Sequence, residues 1–372
     1  MTGPSHSTPT APGAPTPTAP GAPTPTAPGA PTPTAPGAAF TGLTDLASRA
    51  LGASVVAAND ELFASRENLI NPGEAAFDPQ AFGHKGKLYD GWETRRRRDA
   101  GHDWAVVRLG APGIVRGVVV DTAWFRGNYP PNVSVEAAHV ADYPDAAALA
   151  DAQWTTVVRR TDCAGDAKNY YAVEDPHCWT HVRLSIYPDG GVARFRVHGE
   201  ALPDPRFLTG TIDLVAADNG GRLEQTSDAF YSSPAQIILP GRARHMGEGW
   251  ENARRRGGGN DHAVFALAAP GTVRHVEVDT GYYVGNAPGW VRLSVADPRG
   301  SDLETAAWTD IVAKRPVVPD TRHRLLVEQA VEGTHVRLDV YPDGGLSRLR
   351  LWGEVSASGR ELAEERWRRA RP

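Results

Sequence analysis

Cysteine is scarce, with only Cys163 and Cys178 in 372 residues. A secreted β-protein of this size would more often carry a disulfide framework, so the scarcity points to a reducing cytoplasm and two free thiols. The two share one loop region, which leaves a bridge between them geometrically open. No apolar run approaches the roughly 20 residues that span a bilayer. Met1 is followed by Thr, Pro, Ala and Gly instead of a basic and then an apolar stretch, so neither a membrane span nor a signal peptide is expected. A basic excess is lacking too: 39 Lys and Arg face 44 Asp and Glu, for a net charge of −5 and a pI near 6.2. That balance offers no electrostatic footprint for nucleic acid or an anionic membrane. Small solutes or proteins remain as partners, and self-association into a homo-oligomer is left open. There is no phosphate-binding Gly-rich loop and no Gly-x-Ser-x-Gly elbow, so nucleotide chemistry and serine acyl transfer have no candidate. Closely spaced His or Cys pairs are also missing, and His84, His102 and His181 are scattered. No cofactor is expected, the alternative being one divalent ion held by carboxylates and histidine.

What is present begins with a tail. From Thr8 to Ala38 the octet TPTAPGAP recurs nearly perfectly. Such uncharged, aromatic-free, Pro-rich sequence cannot bury enough apolar surface to offset its ordering entropy, so residues 1–39 are expected to be disordered. Phe40 to Leu51 has an N-cap candidate in Thr44 and apolar residues at Leu46, Ala47, Ala50 and Leu51, which predicts a short docking helix.

The body repeats itself. Gly91-Trp92-Glu93 matches Gly249-Trp250-Glu251, and the spacing holds without a gap through Asp103/Asp261, Asp121/Asp279 and Asn128/Asn286, with about half the positions identical. A second block, His181-Val-Arg-Leu-Ser-Ile-Tyr-Pro-Asp-Gly-Gly191, matches His335 to Gly345. The divisions that follow are 40–203 and 204–358 for two copies of one unit and 359–372 for a charged C-terminal tail. Within each copy short apolar runs alternate with period two: Val118 and Val120; Val133, Val135 and Ala137; Val182, Leu184 and Ile186; Phe195 and Val197. Ala-Pro-Gly and Pro-Asp-Gly-Gly turns separate them. Many short half-buried strands with few helical segments predict an all-β antiparallel sandwich of jelly-roll type, present twice.

The densest polar stretch is Asp90-Gly-Trp-Glu-Thr-Arg-Arg-Arg-Arg-Asp-Ala-Gly-His-Asp-Trp104. A row of four arginines is usually a solvated face. Here Arg96, Arg97 and Arg98 recur as Arg254, Arg255 and Arg256 in a diverged copy, and the planar guanidinium suits bidentate capture of a carboxylate or ureido oxygen. Glu93, between Trp92 and the arginines, is the leading proton-transfer candidate, with Asp103, His102 and Asp90 beside it. Arg95 to Arg98, Trp92, Asp121 and Asn128 are the substrate-binding candidates, and Glu251, Asp261 and Arg254 to Arg256 are their second-copy equivalents. Core packing for Trp92 and turn capping for Asp103 and Asp121 are the competing structural roles. Should a metal be present, Asp90, Glu93, His102 and Asp103 are the ligand candidates.

These strings, with Val120-Asp-Thr-x-x-Phe125-x-Gly-Asn-Tyr-Pro-Pro131 and Arg183-x-x-Ile-Tyr-Pro-Asp-Gly-Gly191, resemble the allantoicase family over nearly all of Ala53 to Val355. The resemblance implies a pair of jelly rolls related to galactose-binding modules and hydrolysis of allantoate to ureidoglycolate and urea. The second copy departs from the family pattern at Glu248, Asn252, Ala253, Asn260, His262, Tyr282 and Val284, where the first keeps it almost whole. The competing reading is a non-catalytic jelly roll that binds a small molecule or carbohydrate, since fold does not imply function.

Overall fold

A computed structural model of the chain describes Met1 and residues 39–84, 86–299, 302–327 and 329–372. The expectation for the Pro-rich tail therefore falls outside the described residues. Among the described residues, seven strands of five or more residues build the first copy: β1 Ser54–Ala58, β2 Asp103–Asp121, β3 Asn132–Ala138, β4 Thr155–Asp162, β5 Lys168–Ala172, β6 Cys178–Tyr187 and β7 Arg194–Ala201. The second repeats them as β8 Arg222–Thr226, β9 Asp261–Asp279, β10 Trp290–Ala296, β11 Thr309–Pro316, β12 Arg322–Leu326, β13 Glu332–Tyr341 and β14 Arg348–Val355. All pairings are antiparallel.

One long strand organises each sandwich by serving both layers. The first half of β2 pairs with β1 and β6, for example Val107 with Val55 and with Val182. Its second half pairs with β5 and β7, Val118 facing Tyr171 and Val197. The layers are thus β1-β2-β6-β3-β4 and β5-β2-β7, and β9 does the same in the second copy. The pairing of β2 with β6 slips between Arg108 and Gly113, around Pro112, which has no N–H to donate to a ladder. The alternating residues read from the sequence meet between the layers: Val118, Val120, Val133, Val135, Leu184, Ile186, Phe195 and Val197 are all fully buried. Their opposite neighbours on β6, Arg183, Ser185 and Tyr187, therefore lie on the outer face of the five-stranded layer.

Two expectations change. The segment from Phe40 to Leu51 is not one helix but two 3₁₀ turns, Ala39–Gly42 and Arg49–Leu51, flanking the two-residue strand Thr44–Asp45. The open edge of β7 supplies the competing hydrogen bonds: Thr44 pairs with Gly199, and Asp45 Oδ1 accepts from the Val197 and Ala47 amides. The C-terminal charged tail is instead a helix, α1 Ala357–Ala370, capped at its N-terminus by Ser356, whose hydroxyl accepts from the Gly359 amide. Ala363, Trp367 and Ala370, spaced four and three apart, form its apolar side. Ala370 and Trp367 pack on Cys178, Leu202 and Ile114 of the first sandwich, and Arg366 pairs with Glu200 at 3.4 Å. No described helix is long and apolar enough to cross a membrane. Both cysteines are free and buried.

Candidate functional site

The polar stretch after Asp90 folds over one end of the first sandwich, and buried hydrogen bonds hold most of it in place. Trp92 is fully buried and its Nε1 donates to the Asp60 carbonyl at 2.8 Å, so its ring belongs to the core and cannot be a substrate platform. Asp60 was not singled out from the sequence, yet it also accepts from the Arg95 amide at 3.0 Å and from Arg95 Nε at 2.5 Å. Burial pushes its carboxyl up, but those bonds and the Leu62 amide outweigh it and hold the group below its ordinary range. Asp90 accepts from Arg194 Nη2 at 2.7 Å and from the Ala76 amide at 2.9 Å. Asp121 is buried and caps its turn through the Ala123 amide at 2.9 Å. Those contacts account for Asp90 and Asp121 as structural groups.

Asp103 is buried and accepts from Arg97 Nη1 at 2.5 Å and Asn59 Nδ2 at 2.9 Å, while the Arg97 amide donates to Asp189 Oδ2 at 2.8 Å. The second copy rebuilds this lattice part for part. Arg255 pairs with Asp261, Ser227 takes the place of Asn59, and Asp343 accepts from the Arg255 amide at 2.7 Å. Glu93 behaves alike: it accepts from Asn128 Nδ2 at 2.5 Å, and Glu251 accepts from Asn286 at 2.8 Å. The Pro-Asp-Gly-Gly turn makes room for that contact. Gly190 has φ +142°, and a Cβ there would meet the Asn128 carbonyl at 2.8 Å. Burial raises the Glu93 carboxyl above its ordinary value, against the lowering effect of Asn128. Arg96 and Arg98 are exposed, with no ion-pair partner among the described residues, as are Arg254 and Arg256 in the second copy.

His102 leads elsewhere. Together with Trp104 it lines a cavity of about 510 Å³ on the outer face of the five-stranded layer, bounded by Ser134 and Glu136 of β3, Thr156, Arg159 and Arg160 of β4, and Arg183 and Tyr187 of β6. Its ring lies 4.5 Å from that of Tyr187, and neither ring nitrogen has a hydrogen-bond partner among the described residues. Burial, followed by the charges of Arg183 and Arg97, lowers its pKa below the ordinary 6.5, with Glu136 and Asp103 opposing. That shift favours the neutral imidazole, the form able to accept a proton. Arg183 donates to Glu136 Oε2 through Nε at 2.8 Å and Nη2 at 2.7 Å and lies 4.6 Å over Trp154. Arg160 donates to Asn132 at 3.1 Å and stands 4.2 Å over Tyr187.

The corresponding place in the second copy is filled differently. A cavity of about 290 Å³ lined by His262, Trp308, Arg337 and Glu304 among others lies beside it and shares with the first-copy cavity only the places of Trp104 and Arg183. Asn260 stands where His102 does and Asp339 where Ser185 does. Asp339, fully buried, accepts from Arg337 at 3.0 Å, Arg292 at 2.9 Å and Asn260 at 2.8 Å, so both arginines there are already held by a buried carboxylate. Of the candidate catalytic and binding residues read from the sequence, only His102 lines the first-copy cavity. Arg159, Arg160, Arg183, Glu136 and Tyr187 were missed. The outward alternation Arg183, Ser185, Tyr187 opposite a buried Val-Leu-Ile row was a legible signal for two of them. No three described His, Cys, Asp or Glu side chains converge as a metal site would require.

The family model described as the allantoicase repeat matches residues 44–202 and 212–356. A probable allantoicase of Streptomyces avermitilis is 52% identical over 334 residues, covering 86% of this chain and 88% of its own. One of Nocardia farcinica is 50% identical over 322 residues, covering 85% and 95%. Among solved structures, the allantoicase of Saccharomyces cerevisiae superposes with a TM-score of 0.72 at 33% identity, covering 83% of this chain and 92% of that one.

Proposed function

The chain belongs to the allantoicase family, and on that premise we propose that it hydrolyses allantoate to ureidoglycolate and urea in purine breakdown, using the cavity of the first sandwich. One contrast carries the placement: the first copy gathers three arginines and an imidazole without a hydrogen-bond partner among the described residues around about 510 Å³, whereas at the matching place of the second Asp339 holds Arg292 and Arg337. That volume suits a small ligand.

Allantoate carries a carboxylate and two ureido groups on one carbon. His102 takes the proton of one ureido N–H, whose electron pair forms C=N as the opposite C–N bond breaks. The imidazolium then returns the proton to the departing nitrogen, and urea leaves. Water adds across C=N, hydroxyl to carbon and proton to nitrogen, which gives ureidoglycolate. Guanidinium groups around the cavity polarise the ureido oxygens as charge develops, an effect worth several kcal/mol in a water-poor site. Assay of urea release from allantoate tests the function directly, because a module that merely binds would release none at any pH.

A second reading rests on Glu93, whose burial favours the protonated form that could donate to the departing nitrogen. On this reading Glu93→Gln lowers kcat by roughly 10² to 10⁴, and Glu251→Gln costs much less. Equal losses of thermal stability with kcat preserved would instead make both Glu-Asn pairs structural.

The chemistry proposed runs on side chains alone. Extensive chelation should leave kcat unchanged. Activity abolished by chelation and restored by one divalent ion would reverse this. A cytoplasmic location fits two buried free thiols whose pKa values burial pushes up to about 11 for Cys163 and about 12 for Cys178.

A further inference from the structure

Three arginines line the first-copy cavity, and they are not equivalent. Arg183 is committed to Glu136, its charge matched and its face covered by Trp154. Arg160 lies over Tyr187 and donates to Asn132. Arg159 alone among them has no hydrogen-bond or ion-pair partner among the described residues.

Adjacent residues of a strand should point to opposite faces, so Arg159 and Arg160 ought not to share a cavity. The register of β4 against β3 explains why they do. Val133 faces Thr161 and Val135 faces Val158, so two residues lie between the paired positions on β4 where β3 has one. The extra residue is a β-bulge at Arg159 and Arg160, a device that re-aims side chains. The second copy keeps the bulge, with Val291 facing Arg315 and Leu293 facing Val312, but carries Ala313 and Lys314 there. Lys314 retains the cation over the tyrosine, 3.9 Å from the Tyr341 ring. What the second copy has lost at the bulge is therefore the counterpart of Arg159 alone.

We infer that Arg159 is the specificity-determining residue that reads the substrate's carboxylate, so that this cavity selects anionic ureides over neutral ones. The inference rests on the cavity being the allantoate site. A planar fork at a solvent-facing bulge can meet both oxygens of a carboxylate without first breaking another ion pair.

The test compares Arg159→Ala and Arg159→Lys with the parent enzyme, using steady-state kinetics on allantoate and competition by its neutral carboxamide analogue. Arg159→Ala should raise KM for allantoate roughly 10- to 100-fold with kcat changed far less, while the inhibition constant of the carboxamide stays within about threefold. Lysine should recover part of the loss through charge without the fork. Arg159 is exposed on an edge strand, so an unchanged melting temperature is expected. His102→Gln, run in parallel, separates the two readings. If it abolishes turnover while Arg159→Ala leaves KM within twofold, or weakens both ligands equally, Arg159 does not read the carboxylate and the site stands. If neither substitution alters the kinetics, the cavity is not the site and the inference falls with it.

Discussion

His102→Gln should lower kcat by roughly 10² to 10⁴, the range for one general base, while Asn260→Ala at the matching place should leave it within about twofold. Glutamine keeps a polar side chain beside Tyr187 but cannot accept and return a proton. The imidazole is poised by its surroundings: burial first, then the guanidinium charges of Arg183 and Arg97, lower its pKa. The neutral base is therefore present above that lowered value and lost as pH falls through it. The acid limb of kcat/KM in the parent should accordingly lie below pH 6.5, the ordinary histidine value, and vanish in the glutamine variant. A variant retaining kcat within threefold, or the same acid limb, would remove the imidazole from the chemistry.

Arg97→Ala should cost about 3 kcal/mol of stability, near the lower end for breaking a buried pair because the arginine side chain is 22% exposed. The loss arises less from the missing contact than from the stranded Asp103 carboxylate, which keeps only the Asn59 bond. Arg255→Ala should cost a similar amount, since Arg255 and Asp261 repeat the arrangement in the second sandwich. Denaturant midpoints measure both. Neutralising the stranded carboxylate with Asp103→Asn in the Arg97→Ala background should recover part of the deficit. A loss below about 0.5 kcal/mol, the usual scale for an exposed position, would mean that water reaches the pair freely.

These two expectations separate roles that sit only five residues apart in the chain. The Arg97–Asp103 and Glu93–Asn128 pairs recur in the second copy as Arg255–Asp261 and Glu251–Asn286, and Asp60 is rebuilt as Asp228, whose carbonyl accepts from the Trp250 indole at 3.0 Å. Recurrence suggested function when only the sequence was in view. The contacts give a simpler cause for most of it, since each copy must pin the same loop over the same end of a sandwich. Divergence is what marks the proposed site, at His102 against Asn260, Ser185 against Asp339, and Arg159 against Ala313.

The duplication, the strands and their buried faces were legible in the sequence because both signals are local and periodic: a fixed spacing between matching residues, and alternation of Val, Leu and Ile with polar neighbours. The allantoicase motifs were legible for the same reason, being contiguous strings. Which side chains share a cavity was not. Arg159 on β4, Arg183 on β6 and His102 just before β2 come from separate segments whose order follows from the split pairing of β2, and Arg159 reaches the cavity through a bulge that alternation cannot register. The C-terminal helix carried local signals, a Ser356 cap and a run of strong helix formers, but where it docks did not, because Trp367 and Ala370 meet Cys178 and Leu202 of the distant first sandwich. Period and composition are properties of neighbours along the chain, whereas a binding site depends on register and long-range packing, which only the folded structure specifies.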